Sequence, residues 1–167
     1  MNARDILYYG HDFVTRNLAN LPLAQWETEN VCGWWSTKLI IAHLSSFEYV
    51  LVDVLTSFLE EEAQTPYLEE MLKLGGEGFN DHAIKVRRNK TPAELYDEYT
   101  AVVQTTLDLV ARLPEDTLRQ PGTLPWYGDE YALDDYIVYQ YYGHKREHTA
   151  QVNVFKDALK AAGKLPS

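Results

Sequence analysis

The sequence predicts an all-α protein, a four-helix bundle, and three observations support this fold class. Four long segments place apolar side chains three or four residues apart, as on a helix face that packs against other helices. No segment of useful length alternates apolar and polar residues as a strand does. A long, irregular connection between the second and third helices is typical of a crossover in such a bundle. With 167 residues and no low-complexity tract, one domain over residues 1–167 is expected.

The first helix is expected from Ala3 to about Asn20, because Pro22 disfavours helical backbone at the residue before it. Its apolar face includes a histidine, His11. A lone histidine on such a face is more often a core or rim residue bonded to a neighbour than a ligand. A binding role for His11, including that of a fourth metal ligand, is the alternative.

The second helix is expected from Thr37 to about Glu62, with Ser36 or Thr37 as its N-cap. Two parallel apolar stripes give it a wide face, so it should contact two or more neighbouring helices. His43 occupies a position among aliphatic residues on that face, where a buried polar group needs a partner.

The segment from Ala63 to Lys90 is the least regular part of the chain. Pro66, Gly75 and Gly78 are expected to divide it into one or two short helices with loops. His82 lies in this segment as an isolated histidine and is expected on the surface.

The third helix has a clear start, with Thr91 as N-cap, Pro92 in the first turn and Glu94 completing a capping box. Pro114 ends it. A proline- and glycine-containing loop from Arg119 to Glu130 leads to the final helix, expected from Leu133 to Lys160.

Composition excludes several classes of function. The formal net charge of −10 argues against a nucleic-acid partner, which would need clustered lysine and arginine. No apolar run approaches the length of a membrane span, and the N-terminus lacks the layout of a signal peptide, so no membrane partner and a cytoplasmic location are expected. The single cysteine, Cys32, excludes an intramolecular disulfide and is interpreted as a part-buried thiol rather than a nucleophile.

The final helix carries the strongest indication of chemistry. His144 and His148 are four residues apart, which places both imidazoles on one side of the helix, one turn apart. Such a pair can bind one metal ion or can simply be packed or exposed. His43 favours the metal interpretation, since three neutral imidazoles with one open position form a site of catalytic type. Three separately satisfied core histidines remain the alternative.

Four neighbouring residues are candidates for supporting roles. Gln151, one turn beyond His148, could hydrogen-bond an imidazole or a bound water, and Glu147 could orient a ligand or act as a base. A surface salt bridge is an equally good interpretation of Glu147. Tyr141 shares the face of His144, so it is the tyrosine expected to line the pocket. The other tyrosines of this helix favour packing or a homodimer surface.

Two motifs resemble those of the DinB-like metal-binding four-helix bundles, a family that includes bacillithiol- and mycothiol-dependent transferases and the metal-binding domain of maleylpyruvate isomerase. They are the tryptophan-led helix entry over Gly33–Leu44 and the run His144–Gln151. Phe79-Asn80 before the Thr91–Glu94 helix start resembles the isomerase branch. The resemblance spans nearly the whole chain. It implies that the triad His43, His144 and His148 binds a divalent ion such as zinc or nickel, that the crossover follows the second helix, and that the protein is a homodimer.

Two functions from different classes follow. In the first, a metal-dependent thiol S-transferase, the ion lowers the pKa of a coordinated low-molecular-weight thiol, which attacks a small-molecule electrophile. Hydrolysis with an activated water is the neighbouring variant. In the second, a non-catalytic, stress-related protein uses its metal for structure or to hold a small ligand.

Overall fold

The computed structural model describes residues 2–166, and within that range all regular structure is helical. The seven α-helices are α1 Ala3–Leu18, α2 Thr37–Ser57, α3 Pro66–Arg87, α4 Pro92–Arg112, α5 Glu115–Arg119, α6 Leu133–Ile137 and α7 His144–Ala161. A π-helical segment, Val138–Gly143, joins α6 to α7, and a short 3₁₀ turn covers Leu23–Gln25. The all-α class is confirmed.

Helix α2 lies at the centre of the bundle and packs against α3, α4 and α7, while α1 packs against α4 and α7. The buried side chains form two apolar clusters along the bundle. One contains Leu51, Leu55, Val110, Leu133 and Ile137, and the other contains Leu18, Ile40, Leu44, Leu95 and Val152. Burial of each such side chain contributes roughly 1.5–3 kcal/mol, so tertiary packing fixes the positions from which the functional side chains project.

Helix α1 follows the prediction but ends two residues earlier, at Leu18. Asn2 caps it, because its side-chain Oδ1 accepts from the backbone N–H of Arg4 at 3.0 Å. Gly10 is buried, and a Cβ built on it would lie 3.4 Å from Tyr142 Cδ2 and 3.5 Å from Lys145 Cδ. The absent side chain therefore lets α1 approach the start of α7 closely.

Helix α2 begins as predicted, with Ser36 Oγ accepting from the backbone N–H of Leu39 at 3.4 Å. It ends at Ser57, five residues before the predicted Glu62. The last turn tightens there, since the N–H of Leu59 donates to the Thr56 carbonyl three residues back, at 2.9 Å. The acidic run Glu60–Glu62 would also be unfavourable at the negative end of the helix dipole.

The same helix corrects the expectation that no apolar run approaches the length of a membrane span. α2 has 21 residues and an 18-residue window of mean hydropathy 1.5, so by length and composition it could cross a membrane. In the bundle, 72% of that window is buried, which is also what the core helix of a globular protein shows.

Helix α3, Pro66–Arg87, consists of two helical segments that meet at a kink, as the predicted division at the glycines indicated, but the segments follow each other directly instead of being separated by a loop. Gly75 takes a left-handed backbone conformation, with φ 70° and ψ 172°, and the kink lies there. The crossover after α2 is thus a helix that packs on α2 and brings Phe79 into the core.

Helix α4 carries the predicted capping box, in which Thr91 Oγ1 accepts from the backbone N–H of Glu94 at 3.2 Å. The loop predicted from Arg119 begins after α5, a short helix that the sequence analysis did not anticipate. Two tyrosines near the start of the final helix, Tyr136 and Tyr141, are buried, and their hydroxyls lie 3.1 Å apart. They are therefore core residues and not part of an exposed surface.

Candidate metal centre

Three imidazoles from two helices meet at one point in the bundle. His43 projects from the middle of α2, and His144 and His148 project from the first turns of α7. The Nε2 atom of His144 lies 2.7 Å from Nε2 of His43 and 3.0 Å from Nε2 of His148. His43 and His148 are buried and His144 is half-buried, so the cluster is largely removed from solvent.

Behind each ring, the second nitrogen faces an acceptor. His148 Nδ1 lies 2.8 Å from Gln151 Oε1. The ring of His144 is hydrogen-bonded to the backbone of Gln140, and this bond raises the pKa of His144, as a carbonyl acceptor does. Since Nε2 of His144 faces the other two rings, Nδ1 is the donor.

The third acceptor is Asn80. His43 Nδ1 and Asn80 Oδ1 are both buried, and neither has a partner at full hydrogen-bond geometry. The Asn80 side chain nevertheless raises the pKa of His43, so the two groups lie within interaction range.

These acceptors favour one tautomer. A neutral imidazole has one N–H, and an acceptor behind Nδ1 favours that hydrogen on Nδ1. In that form the Nε2 lone pair of each ring is directed to the place where the rings meet, and the three nitrogens can bind a cation. The Nε2–Nε2 distances of 2.7 and 3.0 Å are also hydrogen-bond distances, so without an ion a ring that carries its hydrogen on Nε2 can donate it to the next ring.

The pKa values favour the same protonation state. Burial, together with the neighbouring imidazoles of His144 and His148, lowers the pKa of His43 to about 2. Burial, followed by the proximity of His148 and Lys145, lowers the pKa of His144 to about 4, and burial lowers that of His148. All three rings are therefore neutral near pH 7, as metal ligands must be.

Ligand geometry agrees with a small divalent ion. The candidate ligand atoms all lie within 4.8 Å of one another. Ligand nitrogens of a tetrahedral zinc site are about 3.3 Å apart for Zn–N bonds of about 2.0–2.1 Å. The observed spacings of 2.7 and 3.0 Å need to widen by about 0.6 and 0.3 Å to reach that value. The triad is compatible with a divalent metal ion.

Aromatic rings hold the imidazoles in place. The Trp35 ring is stacked on His148, with an interplanar angle of 24°, and its centroid lies 5.0 Å from that of His43. Phe47 presents its ring to His43 and His144, at centroid distances of 4.9 Å. Trp35 reaches this position through a tight turn, in which Gly33 has φ 57° and the Trp35 N–H donates to the Cys32 carbonyl.

The triad lies at the base of a cavity of about 810 Å³ that opens to solvent. Four aromatic side chains line it, Trp34, Trp35, Phe47 and Tyr139. The remaining non-histidine lining comprises Cys32, Gly33, Asn80, Gln140, Gly143 and Glu147. Its volume is that of a small-molecule site.

The family comparison agrees with this geometry. The family model described as the DinB superfamily matches residues 11–152, which include all three histidines and both predicted motifs. The chain belongs to the DinB superfamily. No curated protein and no solved structure matches it significantly. The predicted family resemblance is confirmed for this DinB superfamily protein, and the comparison assigns no reaction to it.

Two of the predicted supporting residues lie beside the triad. Gln151 is half-buried, and its Oε1 lies 2.8 Å from His148 Nδ1. A hydrogen bond to an imidazole is one of the two roles predicted for it. Glu147 is exposed and lines the cavity. Their catalytic roles stay predictions.

The structure does not bring the other two, Tyr141 and His11, to the cavity. Tyr141 is 1% exposed in the core, with its hydroxyl against that of Tyr136. The π-helical segment explains this difference, because its i→i+5 hydrogen bonds place more residues in each turn than the 3.6 of an α-helix. Relative to His144, the residues that reach the cavity are therefore Tyr139 and Gln140.

His11 is half-buried on α1, and its ring packs against Tyr99 at a centroid distance of 5.5 Å. It is absent from the group of mutually close ligand atoms found among residues 2–166. Burial and the nearby Lys145 ammonium lower its pKa. His11 thus lies apart from the triad, in the core or rim position expected for it, but its buried Nδ1 has no hydrogen-bond partner, so the expected bond to a neighbour is not observed.

Sequence reasoning gave no site role to Asn80, Phe47, Tyr139 or Gln140. Asn80 belongs to the family motif Phe79-Asn80, in a segment predicted as one or two short helices with loops, and that pattern does not indicate its place beside His43. A second omission is a buried ion pair behind the triad, in which Lys145 Nζ lies 2.6 Å from Glu48 Oε1. Two charged residues in otherwise apolar faces of α2 and α7 were the signal that could have found it.

Proposed function

We propose that this DinB superfamily protein binds a divalent ion, zinc or nickel, through His43, His144 and His148, and catalyses transfer of a low-molecular-weight thiol to a small electrophile. The observation that carries the proposal is the convergence of three imidazole Nε2 atoms in an open cavity of about 810 Å³. Imidazole ligands suit zinc and nickel among the abundant divalent ions.

A bound ion would supply one function, the lowering of the pKa of a coordinated thiol so that the thiolate forms near neutral pH. The protein's own residues do the rest. Trp35 and Phe47 shield the imidazoles from water on the cavity side. Gln151 hydrogen-bonds the outer ring nitrogen of His148 and thereby orients its inner nitrogen, and Asn80 lies within interaction range of His43.

The choice of an enzyme over a purely structural metal site is supported by the ligand count. Within residues 2–166, no fourth histidine, cysteine or carboxylate joins the three imidazoles. A structural zinc site normally has four protein ligands, whereas a catalytic site has three and leaves a position for substrate or water. Here that position faces the cavity, which has room for a thiol and a second reactant.

A conjugation assay tests this function. Zinc- or nickel-loaded protein is incubated with a panel of thiols and small electrophiles, and thiol consumption and product mass are followed. We expect turnover that is lost in metal-free protein and in His144→Ala. His82→Ala is the matched control, because His82 is a half-buried histidine outside the cavity, paired with Glu70. Equal turnover in metal-free protein, or release of the hydrolysed electrophile without thiol consumption, would contradict the transferase proposal.

A further inference from the structure

The cavity wall carries a negative side chain and no basic one. Among the residues that the structure describes, no lysine or arginine lines the cavity, and Glu147 is its one carboxylate. The nearby cations face elsewhere. Lys145 is buried in its ion pair with Glu48, and the Arg146 guanidinium lies over the rings of Phe13 and Tyr142.

Two exposed aromatic side chains line the cavity together with the Glu147 carboxylate. Trp34 and Tyr139 are each 58% exposed and line the cavity. Gly143 lies one helical turn before Glu147 and also lines the cavity, so no side chain from this position fills the space beside the carboxylate. The faces of tryptophan and tyrosine attract cations, and a carboxylate adds direct Coulomb attraction.

We infer that the ligand of this cavity carries a positive charge, an ammonium group, beside Glu147, and that ligands with a carboxylate there are disfavoured. A carboxylate at this position would lose hydration and find no basic side chain to replace it. An ammonium group would find Glu147 and two aromatic faces. This inference rests on the proposed coordination of a thiol by a metal ion at the triad.

Three thiols with the same two-carbon spacer test it. Cysteamine, 2-mercaptoethanol and 3-mercaptopropionate carry a positive, a neutral and a negative group. Each is titrated into cobalt-loaded Cys32→Ser protein, and the sulfur-to-cobalt charge-transfer band gives a dissociation constant. The Cys32→Ser background ensures that the sulfur seen by the ion comes from the added thiol, since Cys32 also lines the cavity.

For each variant, the dissociation constant of 3-mercaptopropionate is divided by that of cysteamine. The intrinsic difference between the two thiols is the same in every variant, so it cancels when these ratios are compared. We expect Glu147→Lys to lower the ratio at least about tenfold. Trp34→Ala should weaken cysteamine alone, by roughly twofold to fivefold. Glu61→Lys is the matched control for net charge, because Glu61 is exposed just beyond the far end of α2; it should leave the ratio within about twofold of the parent protein.

The outcomes separate the two claims. The thiols could coordinate cobalt while Glu147→Lys and Glu61→Lys change the ratio equally. That result would overturn the charge preference and leave the proposed function intact. Cobalt protein that gives no charge-transfer band with any thiol would contradict the proposed function. In that case calorimetric titration with benzylammonium and phenylacetate still measures the preference, and binding of phenylacetate as tight as that of benzylammonium would overturn it.

Discussion

Asn80 and Gln151 act at the triad through ring nitrogens that a metal ion does not touch. Each side-chain oxygen faces the Nδ1 of a triad histidine, Asn80 that of His43 and Gln151 that of His148. Because the acceptor fixes both the tautomer and the orientation of the ring, it also determines how basic and how well aimed the inner nitrogen is. The energetics of metal binding should therefore extend beyond the three ligands.

We expect Asn80→Ala and Gln151→Ala each to weaken zinc affinity about 10–100-fold without unfolding the protein. Competition titration with a chromophoric chelator measures the affinity, and thermal unfolding of the metal-free protein checks the fold. Asn89→Ala is the matched control, since Asn89 is exposed beyond the end of the same helix. Affinities equal to that of the unaltered protein would mean that the outer nitrogens do not influence the site.

The residues of the triad could be predicted from sequence because each occupies a helix face where an apolar residue is expected, and buried polar groups need partners. Asn80 could not be predicted in the same way. It lies on a segment whose proline and glycines indicate loops, and the packing of α3 against α2 brings it towards His43. A local sequence pattern contains no information about that long-range contact.

At the scale of elements, α2 and α7 are joined directly behind the triad by a buried ion pair. The side chains of Lys145 and Glu48 are 2% and 1% exposed, and Thr106 Oγ1 on α4 donates to the second Glu48 oxygen at 3.0 Å. Lys145 follows His144 in the chain, so this pair and its α4 contact set the position of α7 relative to α2 and with it the separation of the ligands.

Removal of one partner should be costly, since the other charge remains buried. Glu48→Ala is expected to lower the free energy of unfolding by about 3–5 kcal/mol, measured by denaturant titration of the metal-free protein. The double variant Glu48→Leu with Lys145→Met should recover most of that loss, because no charge is then left unpaired. A single variant that is as stable as the parent protein would show that the pair is not buried in solution.

The final helix shows where periodicity stops being informative. The spacing of 3.6 residues per turn correctly placed His144 and His148 together, because both lie in regular α-helix. It failed one turn earlier for Tyr141, since the π-helical segment changes the angle per residue, and apolar patterning carries no mark of that change. Glycine at position 143 and four tyrosines within seven residues predicted packing there but not register.

For the whole molecule, three buried histidines link stability to pH. The ordinary histidine pKa is 6.5, whereas the folded protein lowers the pKa to about 2 at His43 and about 4 at His144. Between pH 6.5 and 4 the unfolded chain therefore binds more protons than the folded chain, and stability falls as the pH falls.

We expect the metal-free protein to lose roughly 1 kcal/mol through His144 alone between pH 7.5 and 5.5, in addition to the loss through the other two rings. Denaturant titrations at both pH values measure the change. The same change should be smaller in the variant His43→Gln, His144→Gln, His148→Gln, in which these groups no longer titrate. An equal change in both proteins would contradict the assigned protonation states.

The central claim is that His43, His144 and His148 bind one divalent ion, and a metal titration tests it most directly. Metal-free protein is titrated with Co²⁺ and Zn²⁺, and visible absorption and calorimetry report stoichiometry and affinity. The account predicts one ion per chain, a cobalt spectrum typical of nitrogen ligands, and loss of at least about two orders of magnitude in affinity in His43→Ala, His144→Ala and His148→Ala. His82→Ala should bind as the unaltered protein does. Absence of binding, or binding that survives the loss of His144, would contradict it.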